Sequence, residues 1–306
     1  MLLDPWWSAA LVGLFGLMIG SFLNVVIYRL PKMMERQWDA EVAAYAAERA
    51  ARQTTSATTA ELAAVLPPVS EPFNPEPFNL LVPRSRCQAC GHMVQWYENI
   101  PVLSYLVLRG KCSSCGVNIS VRYPLVELST AGLFAFLGHW GGLSLPTLIW
   151  CGFAAAMVTL AMIDWDTTLL PDDITLPLLW TGLLASTLGW TGVPAATSVV
   201  GAAAGYLSLW IVYWGFKLAT GKEGMGYGDF KLFAVLGAWY GWQALLPIIL
   251  MASIVGAIVG LVMKFRNRLR EGGYVPFGPF LVGAGLVSMV FTPESIMQAV
   301  LGLLGL

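Results

Sequence analysis

Two carboxylates stand where an apolar run gives way to a cluster of loop residues. Asp164 lies at the end of one run, in Ile163-Asp-Trp-Asp-Thr-Thr-Leu-Leu-Pro-Asp-Asp173, and Asp229 at the start of another, in Gly224-Met-Gly226-Tyr-Gly228-Asp229-Phe-Lys231. In the first segment Asp172 follows Pro171 at the start of the next run, where a carboxylate caps free amides, and Asp173 is an ordinary first-turn acid. Asp166 is two residues from Asp164, so on a continuing helix it points to nearly the opposite face. That leaves Asp164, in the last turn of an apolar helix, where the helix dipole disfavours negative charge. In the second segment three alternating glycines, including Gly226 and Gly228, free the backbone, and Asp229 opens the helix that follows. The plain alternative for Asp229 is a helix cap after a flexible turn. If the two carboxylates meet, they share a proton between unequal partners. An aspartic protease needs that arrangement: the ionised carboxylate draws a proton from water while the protonated one polarises the scissile carbonyl.

A second chemistry is written in cysteine. Cys87-Gln-Ala-Cys90-Gly91 and Cys112-Ser-Ser-Cys115-Gly116 are two C-x-x-C-G knuckles separated by twenty-one residues, the spacing of a four-cysteine zinc ribbon. Two intervening residues let both thiolates turn onto one ion, and the following glycine permits a tight turn with amides directed at sulfur. Four protein ligands close the coordination sphere, so zinc here holds the fold and offers substrate no position. His92 adjoins a knuckle, but four cysteines suffice and it reads as surface. Cys151 lies within an apolar run and reads as a small core residue.

The elements that must position these groups are membrane helices. With 57% hydrophobic and 11% charged residues and thirteen Trp, the composition is far from that of a soluble domain. Apolar runs at about 6–28, 124–140, 146–163, 174–190, 197–216, 230–243, 245–263 and 277–292 give an all-α polytopic membrane protein of about eight transmembrane helices. The division inside 230–263 rests on the break between Gly241 and Pro247. With eight spans, all seventeen Lys and Arg fall on one side, and the opposite loops, 141–146, 190–197 and 241–246, have none. That side is expected to be cytoplasmic, with both aspartates there and both chain ends opposite. Asp4-Pro5 precedes the first run and Arg29 and Lys32 follow it, so it reads as an uncleaved anchor.

Three units are expected: a first transmembrane helix over 1–28, a cytoplasmic zinc-ribbon-like module over 29–123 and a transmembrane domain over 124–306 that carries both aspartates and would be the aspartic peptidase domain if they act as a pair. Within the module, Glu35 to Arg52 is Ala-rich and helical in propensity. Thr54 to Thr59 and Pro67, Pro68, Pro72, Pro75 and Pro77 break any helix and read as a connector. Two other function classes fit parts of this pattern. A proton-coupled transporter also keeps acids in membrane helices, but deep within spans and related by an internal repeat. A non-catalytic assembly scaffold uses the zinc ribbon for docking and the aspartates as caps.

Taken together, the motifs resemble the type IV prepilin leader peptidase and N-methyltransferase family of bacterial inner membranes. The likeness spans nearly the whole chain: Gly20-Ser-Phe-Leu-Asn-Val-Val26, Arg29-Leu-Pro31, both knuckles, Glu98-Asn-Ile-Pro101, Arg122-Tyr-Pro-Leu-Val-Glu127, Asp164 with Leu170-Pro171-Asp172, and Gly226-Tyr-Gly228-Asp229. The stretch 53–78 matches no family motif. The resemblance implies a catalytic pair at Asp164 and Asp229. It also implies cleavage of the basic leader of prepilins and pseudopilins after Gly, and methylation of the new terminal amine by S-adenosylmethionine, in service of type IV pili or type II secretion. The substrate's apolar N-terminal helix reaches the carboxylates from the lipid bilayer, and its basic leader meets Glu223, Asp166, Asp172 and Asp173. For methyl transfer, Gly110 matches a glycine linked to methylation, and Glu127 either binds an amine or pairs with Arg122. There is no glycine-rich strand-to-helix fingerprint of a soluble methyltransferase. No nucleic-acid partner is expected.

Overall fold

A computed structural model of the chain describes residues 4–54, 78–266 and 275–304. The expected connector after Thr54, Arg268 and Arg270 lie outside the described residues. Among the described residues the regular elements are helices, beside two isolated antiparallel bridges, Arg86 with Met93 and Lys111 with Asn118.

Helix α1 (Pro5–Thr54) runs without a break from the expected first span into the Ala-rich segment, with Pro31 inside it. After a 3-10 turn at Trp96–Asn99 and the short helix α2 (Leu103–Val107) come α3 (Arg122–Gly141), α4 (Leu145–Thr167), α5 (Asp172–Thr187) and α6 (Ala195–Thr220). Then follow α7 (Tyr227–Tyr240), α8 (Leu245–Phe265), α9 (Gly278–Val290) and α10 (Pro293–Leu304). Each of the eight apolar runs coincides with a helix. By length and hydropathy, Pro5–Arg49, Leu145–Thr167, Ala195–Thr220 and Trp242–Phe265 are long and apolar enough to cross a bilayer, and Gly278–Val290 is a shorter apolar helix. The break inside 230–263 falls at Gly241, whose φ of 80° ends α7 before a 3-10 turn at Trp242–Ala244. Helices α2 and α10 were not foreseen.

Two apolar cores organise the bundle. One joins α1, α3 and α4 through Val12, Leu23, Phe134, Ala154 and Ile163, and Cys151 is buried in it as a core residue. Small residues bring α1 and α3 close: a Cβ added at Gly16 would meet Ala131 Cα at 2.9 Å, and one at Gly20 would meet Glu127 Cα at 2.7 Å. The other core surrounds α7, whose residues from Asp229 to Trp239 are nearly all buried, except Lys231. A helix apolar all round belongs in the middle of a bundle, and the 14 residues of α7 are packed there. Gly201 of α6 and Gly237 of α7 touch backbone to backbone. Trp239 Nε1 donates to the Leu178 carbonyl of α5 at 3.0 Å, and Tyr240 Oη to that of Gly285 in α9 at 2.8 Å.

Candidate functional site

The sequence ends α4 one turn beyond Asp164, with Thr168 at a left-handed φ of 58° and its amide donating to the Asp164 carbonyl at 2.9 Å. Leu170 and Pro171 then turn the chain, and Pro171 is the residue that precedes the first turn of α5. Asp172 and Asp173 are first-turn acids there, and the expected cap at Asp172 is corrected: Pro171 holds the cap position with no side-chain cap bond, and the Asp172 carboxylate accepts from Lys231 instead. The glycine-rich turn ends at Gly226, which caps α7, so Asp229 is a first-turn residue of α7 and not its cap. The plain capping alternative is thereby corrected: Gly226, with extended backbone, takes the cap position, and the Asp229 carboxylate reaches back toward its amide.

Asp164 and Asp229 are 5% and 4% exposed, so both carboxylates are withdrawn from solvent. They are close enough for the charge of Asp164 to act on Asp229. Leu170 packs against the turn that carries Asp229: a Cβ at Gly228 would lie 2.8 Å from Leu170 Cβ. A third element enters at Gly278, the first residue of α9. A Cβ there would stand 2.5 Å from Asp164 Oδ2, 3.1 Å from its Cγ and 3.4 Å from Leu170 Cδ1. Thus the end of α4, the turn into α5 and the beginnings of α7 and α9 meet around two buried acids. Gly278 escaped the sequence reading. Its only local signal is Phe277-Gly278-Pro279 at the mouth of the last apolar run.

The surrounding acids are neutralised within the chain. Arg122 Nη1 donates to both oxygens of Asp166 at 2.6 and 2.7 Å, and Lys231 Nζ to both oxygens of Asp172 at 2.7 Å. Lys217 pairs with Glu223 at 2.8 Å, and its hydrogen bond, then its charge, lower the Glu223 pKa. Of the four acids expected to meet a basic leader, Asp173 alone has no ion pair among the described residues. It helps line a cleft of about 330 Å³ between α4 and α5, together with Leu148, Gly152, Ala156, Pro177 and Thr181.

The two knuckles fold alike. The Cys87 amide donates to the His92 carbonyl at 2.8 Å and the Gly91 amide to that of Cys87 at 2.9 Å. Cys112 repeats this with Val117 at 2.9 Å and Gly116 at 3.0 Å. Gly91 and Gly116 have φ of 74° and 71°, the left-handed turn for which glycine is suited. The Sγ atoms of Cys87, Cys90, Cys112 and Cys115 all lie within 4.8 Å of one another, with Cys87 to Cys115 at 3.9 Å. A tetrahedral thiolate site with ~2.3 Å bonds has sulfurs about 3.8 Å apart, so the cluster fits a metal ion. The Cys87 thiol is brought down to about 7, chiefly by amide hydrogen bonds from Cys90 and Ala89.

His92 is no ligand in this cluster; its Nε2 lies 3.1 Å from Glu98 Oε2 and 3.4 Å from Ser113 Oγ, linking the knuckles. The Gln95 amide above all, then Ser113 and His92, hold the Glu98 carboxyl down to about 2.

The two methylation candidates lie in the cysteine module and against it. Gly110 has φ of 68°, and a Cβ there would lie 2.8 Å from Tyr105 Oη, so the fold itself requires glycine. Glu127 does not pair with Arg122, which is taken by Asp166. It accepts the Val102 amide at 2.7 Å and a hydrogen bond from Ser21, tying the module to α1 and α3.

Two family models match the chain: the bacterial Peptidase A24 N-terminal domain over residues 14–140, and the type IV leader peptidase family over residues 151–261. A prepilin leader peptidase/N-methyltransferase of Aeromonas salmonicida is 48% identical over 292 residues, covering 94% of this chain and 92% of the relative. Proteins of the same description from Pseudomonas putida and Pseudomonas aeruginosa are 46% identical over 294 residues and 45% over 287. They cover 95% and 91% of this chain, and 93% and 88% of their own lengths. No solved structure matches the chain.

Proposed function

The chain belongs to the type IV leader peptidase family, and from that premise we propose that Asp164 and Asp229 are the pair that cleaves prepilin and pseudopilin leaders. The observation that carries this reading is the convergence of two buried carboxylates from α4 and α7, each 4–5% exposed, with charge coupling between them. The ionised member of the pair accepts a proton from water as the water oxygen attacks the carbonyl carbon of the scissile bond. The protonated member donates to the carbonyl oxygen. When the tetrahedral adduct collapses, the C–N bond breaks, the departing amine takes the proton from the first carboxylate, and the second recovers its own.

The active site and the cysteine module face the cytoplasm of a multi-pass inner-membrane enzyme, because every Lys and Arg lies on that side of the eight expected spans. The substrate's apolar helix enters laterally from the bilayer, and the largely apolar cleft between α4 and α5, lined in part by Asp173, suits such an approach. The four cysteines hold zinc, which stabilises the module without touching substrate. The cleaved product is then methylated on its terminal amine, with S-adenosylmethionine as methyl donor. Gly110 shapes the module that serves this step, and Glu127 anchors that module to the membrane helices. The scaffold alternative predicts that Asp229→Asn preserves function, because Asn serves nearly as well at a helix start. Loss of leader cleavage in that variant, with the fold intact, supports the peptidase reading.

A further inference from the structure

Ile100 to Leu108 is a run of nine residues without a charge, inside a module whose other segments are polar and metal-binding. Its helix, α2, turns Leu103, Leu106 and Val107 outward at 61%, 64% and 80% exposure, and Trp96 and Tyr97 just before it are also exposed. A contiguous apolar surface of this kind has to be covered by something.

We propose that α2 and the turn before it are inserted into the cytoplasmic interface of the bilayer, as a re-entrant foot of the cysteine module. Depth is the main argument. The Val102 amide at the start of α2 is bound to Glu127 at 2.7 Å, and Glu127 packs against Gly20 of α1. Gly20 stands eight residues before the end of the apolar run at 28, which is about 12 Å along a helix. On α3, Glu127 stands three residues inside the apolar run that begins at 124, about 4.5 Å. The start of α2 is therefore tied about one to two helical turns inside the apolar ends of the helices it touches. At that depth the covering medium is lipid.

The segment also meets what lipid demands. Non-helical backbone inside a bilayer must satisfy its own polar groups, and here Ser104, Leu106 and Leu108 donate to the carbonyls of Ile100, Val102 and Ser104 at 3.1, 3.0 and 2.9 Å. The Ser104 hydroxyl bonds the Ile100 carbonyl at 2.8 Å, and Tyr105 Oη that of Ile119 at 3.3 Å. Trp96 and Tyr97 are the residue types that settle at headgroup level. Exposed Arg84, Arg86, Arg109 and Lys111 flank the foot and complement the anionic cytoplasmic leaflet. One consequence is that Gly110, directly after α2, is held at the membrane edge, where the new amine of an apolar helix emerges.

The test uses the full-length protein in nanodiscs of phosphatidylethanolamine and phosphatidylglycerol containing a phospholipid with a diazirine high on its acyl chain. After photolysis, adducts are mapped by peptide mass spectrometry. Adducts are expected on α1 and on residues 103–107, and none on the knuckles 87–93 and 112–118. In a Leu106→Glu/Val107→Glu variant that retains its metal, labelling of α2 should fall to background while that of α1 persists. Labelled α1 with unlabelled wild-type α2 overturns the proposal, because protein or water then covers the foot. Persistent α2 labelling in the double variant overturns it as well. The proposal rests on α1 crossing the membrane, and failure of that reading shows separately, as an unlabelled α1.

Discussion

Replacing Gly278 by alanine tests the geometry around Asp164 with a single methyl group. That methyl would stand 2.5 Å from Asp164 Oδ2, with Cγ at 3.1 Å and Leu170 Cδ1 at 3.4 Å. Ordinary heavy-atom contacts lie near 3.5 Å, so about 1 Å of displacement is required. The group that can yield is the carboxylate, at the end of a short side chain, whereas Gly278 is backbone in the buried first turn of α9. A reacting group displaced by about 1 Å costs on the order of 100-fold in rate. Stability changes less, because overpacking of about 1–3 kcal/mol is partly offset by the roughly 1 kcal/mol that alanine gains over glycine in a helix. Cleavage kinetics on a prepilin-like peptide in nanodiscs should therefore show a kcat lower by about two orders of magnitude, a nearly unchanged KM and an altered pH profile. Gly283→Ala on the same helix, where an added Cβ meets nothing within 4 Å, is the control and should behave as wild type. In an Asp164→Ala background the methyl has room, so adding Gly278→Ala should cost no further thermal stability. Wild-type kcat in a correctly folded Gly278→Ala enzyme, or an equal loss in Gly283→Ala, would refute the reasoning.

Other expectations follow from the same contacts. Cys112→Ser should lower bound metal and the melting temperature of the module while leaving the aspartate chemistry intact; elemental analysis and thermal unfolding read this, and normal metal with full stability excludes a structural site. Glu127→Gln loses a charged acceptor for the Val102 amide, a bond worth about 1.5–3 kcal/mol, so hydrogen exchange at residues 100–108 should accelerate; unchanged exchange contradicts the anchoring role. Lys231→Met breaks an ion pair whose Asp172 partner is half exposed, and such pairs contribute about 0–1 kcal/mol, so a large drop in melting temperature would show that the pair does more than balance charge. Gly110→Ala must strain a left-handed backbone against Tyr105, and methylation should fall with module stability; a loss of methylation at unchanged stability would give Gly110 a direct part in that reaction.

The sequence made much of this legible because the signals are local. Hydrophobic runs become helices wherever the backbone must satisfy itself, and C-x-x-C-G specifies a knuckle from five consecutive residues. What escaped depends on packing between distant segments. Asp172 and Lys231 are 59 residues apart, and nothing local shows that Lys231 neutralises an acid otherwise free to meet a leader. Gly278 matters only because α9 starts against the end of α4. The Asp229 cap was misjudged by three residues, since alternating glycines leave the helix start undefined until Gly226 takes the extended conformation. Helix α2 was absorbed into a soluble module because its apolar run is far too short to suggest a membrane segment.

The most direct measurement is mass spectrometry of a prepilin-like substrate incubated with purified enzyme and S-adenosylmethionine, comparing wild type with Asp164→Asn and Asp229→Asn. The account predicts leader removal and a methylated product with wild type, and no cleavage with either variant although both stay folded and keep their metal. Normal cleavage by both variants would contradict it and leave the two buried aspartates a structural role only.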